Sequence, residues 1–146
     1  MSGYRKIDVL LISLIVLDVT LSTAAFCCPR FWFTIFHGAE YVDPQGLLPR
    51  MAANWAAFAL LQIIAYRKWK AQPHWLAVIA GVRLSDMFTD WTYLYFCQDI
   101  TPFGRIGLFA MSPANVLIGW YLLRAYTKPL NNLRGTASTF LASGKE

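Results

Sequence analysis

Four apolar stretches, each about 20 residues long, constrain this chain more than anything else in it. A hydrocarbon core of ~30 Å takes about 20 helical residues to cross. The stretches run over 7–26, 47–66, 75–97 and 106–126. Backbone polar groups inside a bilayer have to bond within their own element, so each stretch is expected to be a helix. Composition agrees. The 146 residues are 57% hydrophobic and 14% charged, against about 25% charged in an ordinary soluble domain. The expectation is an all-α integral membrane four-helix bundle. It would form one domain over 1–128, followed by a polar cytoplasmic tail over 129–146, loosely ordered after Pro129.

The N-terminal "MSGYRKIDVLLISLIVLDVTLSTAAFCC" has the basic start and apolar run of a signal peptide. Its length and the interruption at Asp18 favour a retained anchor. Orientation follows from Lys and Arg. Arg5, Lys6, Arg67, Lys68, Lys70, Arg124, Lys128, Arg134 and Lys145 fall on one side of the four spans, and Arg30, Arg50 and Arg105 on the other. Both termini are therefore expected in the cytoplasm, with the cell inner membrane as the location. The net charge of +5 suits anionic lipid better than nucleic acid, because the basic residues flank apolar segments. No Gly-rich phosphate loop or RNA-binding aromatic signature is present.

The first outer loop carries "FWFTIF", aromatic and too short to span. It is expected to lie along the interface as a short helix or turn. "DPQG" reads as a turn, with Pro44 setting one φ and Gly46 accepting a positive one.

Three charges stand inside the third stretch, in "GVRLSDMFTDW". Arg83, Asp86 and Asp90 are spaced i, i+3 and i+7 and share one helix face. A charge at mid-bilayer costs several kcal/mol, so that face has to point into protein, a partner or water. Counting ~1.5 Å per residue puts Asp18, Asn54, Asp86 and Asn115 of the four helices at about the same depth. One reading is a polar layer that joins the helices. The other is a midplane ligand site: one positive charge among three carboxylates leaves an excess that a proton, a cation or a cationic ligand would offset. A third option is that the charges meet a partner subunit.

Other groupings are weaker. Cys27 and Cys28 end the first span on the side where Cys97 ends the third, so a disulfide from one of the pair to Cys97 is compatible with an oxidising outer compartment. Three free thiols is the alternative, and no CxxC occurs. His37, Glu40 and Asp43 could face one metal only if their loop were helical, which Gly38 argues against, so no metal site is expected. His74 is a lone interfacial histidine. Ser85 and Ser112 read as helix-packing residues. No cofactor can be assigned, and no Ser/His/Asp or paired-Glu arrangement marks an enzyme.

The order "CCPRFWFTIF" followed by "LLPRMAANWAAFALLQIIA" resembles the small four-helix membrane proteins called DoxX-like. That resemblance implies the bundle and carries no assigned chemistry. A looser likeness, through the span count and the outer Asp43-Pro44, is to the sterol-isomerase-like four-helix family that binds cationic amphiphiles. That family's acidic residue in the second span is missing here, where Asn54 and Gln62 stand. The functional expectation is a non-catalytic accessory subunit or small binding protein of a larger membrane assembly. Its partners would be the lipid bilayer and membrane proteins or further copies of itself. The alternative is a compact membrane enzyme or receptor for a lipid-like or cationic molecule, using the midplane carboxylates.

Overall fold

The computed structural model describes residues 2–97 and 99–143, with side chains over 4–97 and 99–127. Among the described residues the chain is all-helical. The order is α1 (Ser2–Cys27), α2 (Pro29–His37), α3 (Leu47–Lys68), α4 (His74–Phe96) and α5 (Pro102–Ser143).

Three segments, Tyr4–Cys27, Leu47–Lys68 and Pro102–Thr127, are long and apolar enough to cross a membrane. Their apolar residues do not gather on one inner stripe. Val9, Ile12, Val16, Val19, Leu60 and Leu117 all face outward, where a water-soluble helix would carry charge. The fourth expected span, α4, has 23 residues and the same reach. Its Arg83, Asp86 and Asp90 leave it short of the other three in apolar character. The expected loose tail begins as a continuation of α5, whose backbone stays helical through Ser143. Residues 144–146 lie outside the described residues.

The helices pair antiparallel. Asp8 of α1 meets Trp69 and Lys70 just past α3, Asp18 meets Gln62, and Ser22 meets Ala52. On the other side, Gly119 of α5 lies against Ala80 and Leu84 of α4, and Ser112 meets Trp91. One buried cluster joins the two pairs: Ile7, Leu11 and Leu14 of α1, Ala65 and Trp69 at the end of α3, Leu76, Ile79 and Ala80 of α4, and Leu122 of α5.

At the opposite end α2 covers the first pair. Trp32 and Phe33 pack with Tyr41 and Trp55 around buried Ala25, Leu48 and Ala52. Pro29 opens α2, where its missing N–H costs nothing. Gly38 closes it in the left-handed conformation (φ 63°), donating its N–H to Thr34 O at 3.1 Å. The expected turn over 43–46 is present: Gly46 N donates to Asp43 O at 3.2 Å, with φ 66° at Gly46.

Asp43 does more than open that turn. Its two carboxylate oxygens accept from Leu47 N and Leu48 N, both at 2.9 Å, and so cap α3. These N–H donors favour the charged carboxylate and hold its pKa below the ordinary 3.8. The capping contribution is therefore fully present above pH ~4 and fades as pH falls through the lowered value. Asp43→Ala should speed amide exchange at Leu47 and Leu48 at neutral pH and make the start of α3 indifferent to acid. Unchanged exchange at those two amides would contradict the capping role.

Candidate functional site

Three of the residues expected in a polar layer, Asp18, Arg83 and Asp86, come together around one ion pair. Asp18 is 1% exposed and Arg83 3% exposed, and one Arg83 Nη2 donor reaches Asp18 Oδ2 in a buried ion pair. Arg83 Nη1 donates to Asp86 Oδ2 at 3.1 Å, one turn along the same helix. The i, i+3 spacing therefore does produce a bridge. Arg83 is held between carboxylates of two different helices.

The α3 member is Gln62, not Asn54. Gln62 is fully buried and its Nε2 donates to Asp18 Oδ2 at 2.6 Å. Asn54 is exposed. The reason is rotational phase. The buried stripe of α3 is Leu48, Ala52, Ala59, Gln62 and Ala65. Asn54 follows Ala52 by two residues, about 200° round the helix, and points away. Asn115 of α5 is buried as expected.

Depth agrees with a central layer. Asp18 lies ten residues beyond Asp8 and nine before Cys27, so it is ~15 Å and ~13 Å from those ends of α1. Three buried polar atoms in this region have no hydrogen-bond partner among the described residues: Gln62 Oε1, Arg83 Nε and Asn115 Oδ1. Asp90, half-buried, has no ion-pair partner among the described residues. Buried polar atoms are seldom left unmatched, and one ordered water is enough to match each of these.

The remaining expected groups separate. Cys27, Cys28 and Cys97 are free thiols, and no disulfide joins them. Cys97 instead turns to His37, with Sγ 4.0 Å from Nδ1, and donates to Asp99 O at 3.8 Å. His37 bridges elements: Nδ1 lies 2.9 Å from Asp99 O, and Nε2 lies 2.8 Å from the Tyr93 hydroxyl. The tautomer that satisfies both has Nδ1–H donating to the carbonyl and Nε2 accepting from tyrosine. His37 thus ties α2 to the end of α4 and the approach to α5. Glu40 is exposed and Asp43 is spent on its cap. Among the described residues no three His, Cys, Asp or Glu side chains gather as a metal set. His74 lies beside the ring of its neighbour Trp75.

Ser85 donates to Val82 O of its own helix at 2.7 Å, whereas Ser112 is buried and accepts from Trp91 Nε1 at 2.5 Å. Thr101, which the sequence reading passed over, joins α2 to α5. Its hydroxyl donates to Ile35 O at 2.6 Å and accepts from Gly104 N at 3.1 Å. A Thr directly before Pro102 at a helix start is the signal that marks it.

No protein-family model matches the chain, and no match is found among curated proteins or solved structures. The functional reading therefore rests on geometry.

Proposed function

We propose that the chain is a non-catalytic, multi-pass membrane protein that serves as an accessory subunit of a larger membrane assembly. In this reading α1, α3, α4 and α5 form a DoxX-like four-helix transmembrane bundle, and α2 lies in the outer interface. Both termini are cytoplasmic, as the basic asymmetry favours. The buried Asp18–Arg83–Gln62–Asp86 network fastens α1, α3 and α4 together, so these charges are internal and α4 can cross the membrane with its load concealed.

The observation that carries the subunit reading is the outer face of α3. Asn54 is exposed there, about 10 Å from the start of the helix, and Ala53, Ala56 and Ala57 are exposed around it. A bare amide facing hydrocarbon is costly. Small residues beside a hydrogen-bonding side chain are what close helix–helix contacts in membranes use. A neighbouring transmembrane helix, from another protein or a second copy, satisfies both.

Native electrophoresis in a mild detergent tests this. The parent should migrate as an assembly well above its 16.6 kDa plus detergent. Asn54→Leu should fold normally and shift toward the single chain, since interhelical polar contacts of this kind contribute ~0.6–2 kcal/mol. A parent that runs as a single chain, or an Asn54→Leu variant that assembles unchanged, would remove the subunit reading. The competing reading, a receptor or enzyme for a lipid-like or cationic molecule, draws its support from the unmatched polar atoms of the central layer.

A further inference from the structure

The two helix pairs pack together at one end of the bundle and stand apart at the other. On the side of the N-terminus, the buried cluster takes side chains from α1, the end of α3, α4 and α5, with Leu11, Leu76, Ile79 and Leu122 fully buried. At the α2 end, the buried cluster takes them from α1, α2, α3 and Tyr41, and from neither α4 nor α5 among the described residues. There α2 spans the gap. Thr101 donates its N–H to Phe36 O at 2.9 Å and its hydroxyl to Ile35 O at 2.6 Å, and Tyr93 donates to His37 Nε2 at 2.8 Å.

The face of α4 that borders this gap is polar. Arg83, Asp86, Asp90, Tyr93 and Cys97 are spaced i, i+3, i+7, i+10 and i+14, which puts them within an arc of about 80° on the helix. Contacts fix the direction of that arc at both ends. Arg83 meets Asp18 of α1, and Tyr93 and Cys97 meet His37 of α2. Ala80, Leu84 and Trp91, which meet α5, lie about 120° round from it. Exposure rises along the arc toward α2. The side chain of Arg83 is 3% exposed and that of Asp86 16%, Asp90 is half-buried, and Tyr93 is 41% exposed. Ionisable groups inside a membrane face protein or a water-filled cavity, not hydrocarbon.

We propose that the gap between the two pairs is an aqueous half-channel, open to the outer compartment beneath α2 and closed toward the cytoplasm. Tyr93, Cys97 and His37 stand at its mouth, Asp90 and Asp86 along its wall, and the Arg83–Asp18 pair with Gln62 at its floor. Beyond the floor, the apolar cluster shared by all four helices seals it. Outer water, and protons with it, reaches the carboxylates of α4 by this route and leaves by the same route. The wetted wall also explains how Asp86 and Asp90 stand in a membrane helix with one arginine between them and Asp18: water solvates the charge that Arg83 does not pair. The proposal rests on the transmembrane reading with α2 on the outer side.

The test is thiol labelling of the full chain in sealed native-membrane vesicles of each orientation, with a membrane-impermeant cationic methanethiosulfonate. Cys27, Cys28 and Cys97 are first replaced by serine, and single cysteines are then introduced. Phe88 is the control. It lies two residues from Asp90, at nearly the same depth, on the opposite side of α4, and is 67% exposed there. A thiolate is the reacting species, and burial in apolar surroundings raises a thiol's pKa. Each unit of that rise slows labelling tenfold, so Asp90→Cys and Tyr93→Cys should react from the outer face at least about tenfold faster than Phe88→Cys. From the cytoplasmic face all three should be slow. Tyr93→Cys keeps every charge of the network and decides the matter if Asp90→Cys fails to fold. Labelling of Asp90→Cys and Tyr93→Cys as slow as that of Phe88→Cys from the outer face would overturn the half-channel and leave the membrane reading standing. Equally fast labelling of all three from one face would place α4 in water and sink the membrane reading itself. Equal rates from the two faces at Asp90→Cys alone would remove the cytoplasmic seal, and the half-channel with it.

Discussion

Arg83→Ala should lower the unfolding stability of the detergent-solubilised chain by about 3–5 kcal/mol, the usual cost of removing one partner of a buried ion pair. The guanidinium is 3% exposed and Asp18 is 1% exposed, so neither charge can turn to solvent. Without Arg83, the Asp18 carboxylate keeps one amide donor, from Gln62 at 2.6 Å. Asp86 loses its 3.1 Å bond at the same time. Removing both ends of the pair is a different experiment. An apolar replacement of a whole buried pair is often neutral or stabilising, because the desolvation cost disappears with the charges. The double variant Asp18→Leu/Arg83→Leu should therefore be more stable than Arg83→Leu alone. A double-mutant cycle by denaturant or thermal unfolding reads this as a large coupling between the two positions. A stable Arg83→Ala, or additive single variants, would mean that the ion pair does not hold α1 to α4.

The parts of this network that were legible in the sequence were those fixed by one helix at a time. The i, i+3, i+7 spacing of Arg83, Asp86 and Asp90 puts them on one face wherever α4 goes. Asp18 follows from its place ten residues beyond Asp8. The choice between Asn54 and Gln62 required the rotational phase of α3, which depth counting does not contain. Depth itself was also misjudged. Asp8 meets Trp69, so Asn54 lies about 22 Å from the level of Asp8 and Gln62 about 10 Å, while Asp18 lies about 15 Å away. A phase signal was present. Ala59, Gln62 and Ala65 repeat every three residues, and small residues mark where two membrane helices approach closely. A polar residue on that stripe faces a helix, and one off it faces outward.

The loops were legible for a different reason. Gly46 and Asp43 act within a few residues of themselves, so "DPQG" carried its own turn. The His37–Tyr93 contact joins residues 56 apart. Nothing local to His37 foretells a partner at the end of α4. The free thiol of Cys97 has the same origin, since the chain brings it to His37 rather than to Cys27 or Cys28. Pairwise tertiary facts of this kind depend on how the two antiparallel helix pairs meet, and a single sequence does not specify that.

Gly119→Val should destabilise the chain by about 1–3 kcal/mol or more through overpacking, and the sign of the effect is set by its neighbours rather than by helix propensity. Glycine within a helix costs roughly 1 kcal/mol relative to alanine, so a side chain added in open space should stabilise. Gly107, on the same helix α5, has nothing among the described residues within 4 Å of where a Cβ would stand. Gly107→Ala should gain a few tenths of a kcal/mol or more on that account. At Gly119 a Cβ would meet Leu84 Cγ at 2.8 Å and the Ala80 backbone oxygen at 3.3 Å. The leucine Cγ moves only by a change of χ1, which a helix restricts to two rotamers. The Ala80 carbonyl belongs to α4 itself and moves only with the helix. Valine adds two methyl groups to that contact, so α4 and α5 have to separate. The separation acts at the level of Asn115 and of the Trp91–Ser112 bond at 2.5 Å, and should appear as a shift in tryptophan emission together with the lower unfolding midpoint. If Gly119→Val and Gly107→Ala move the midpoint in the same upward direction, the α4–α5 seam is looser than this packing requires.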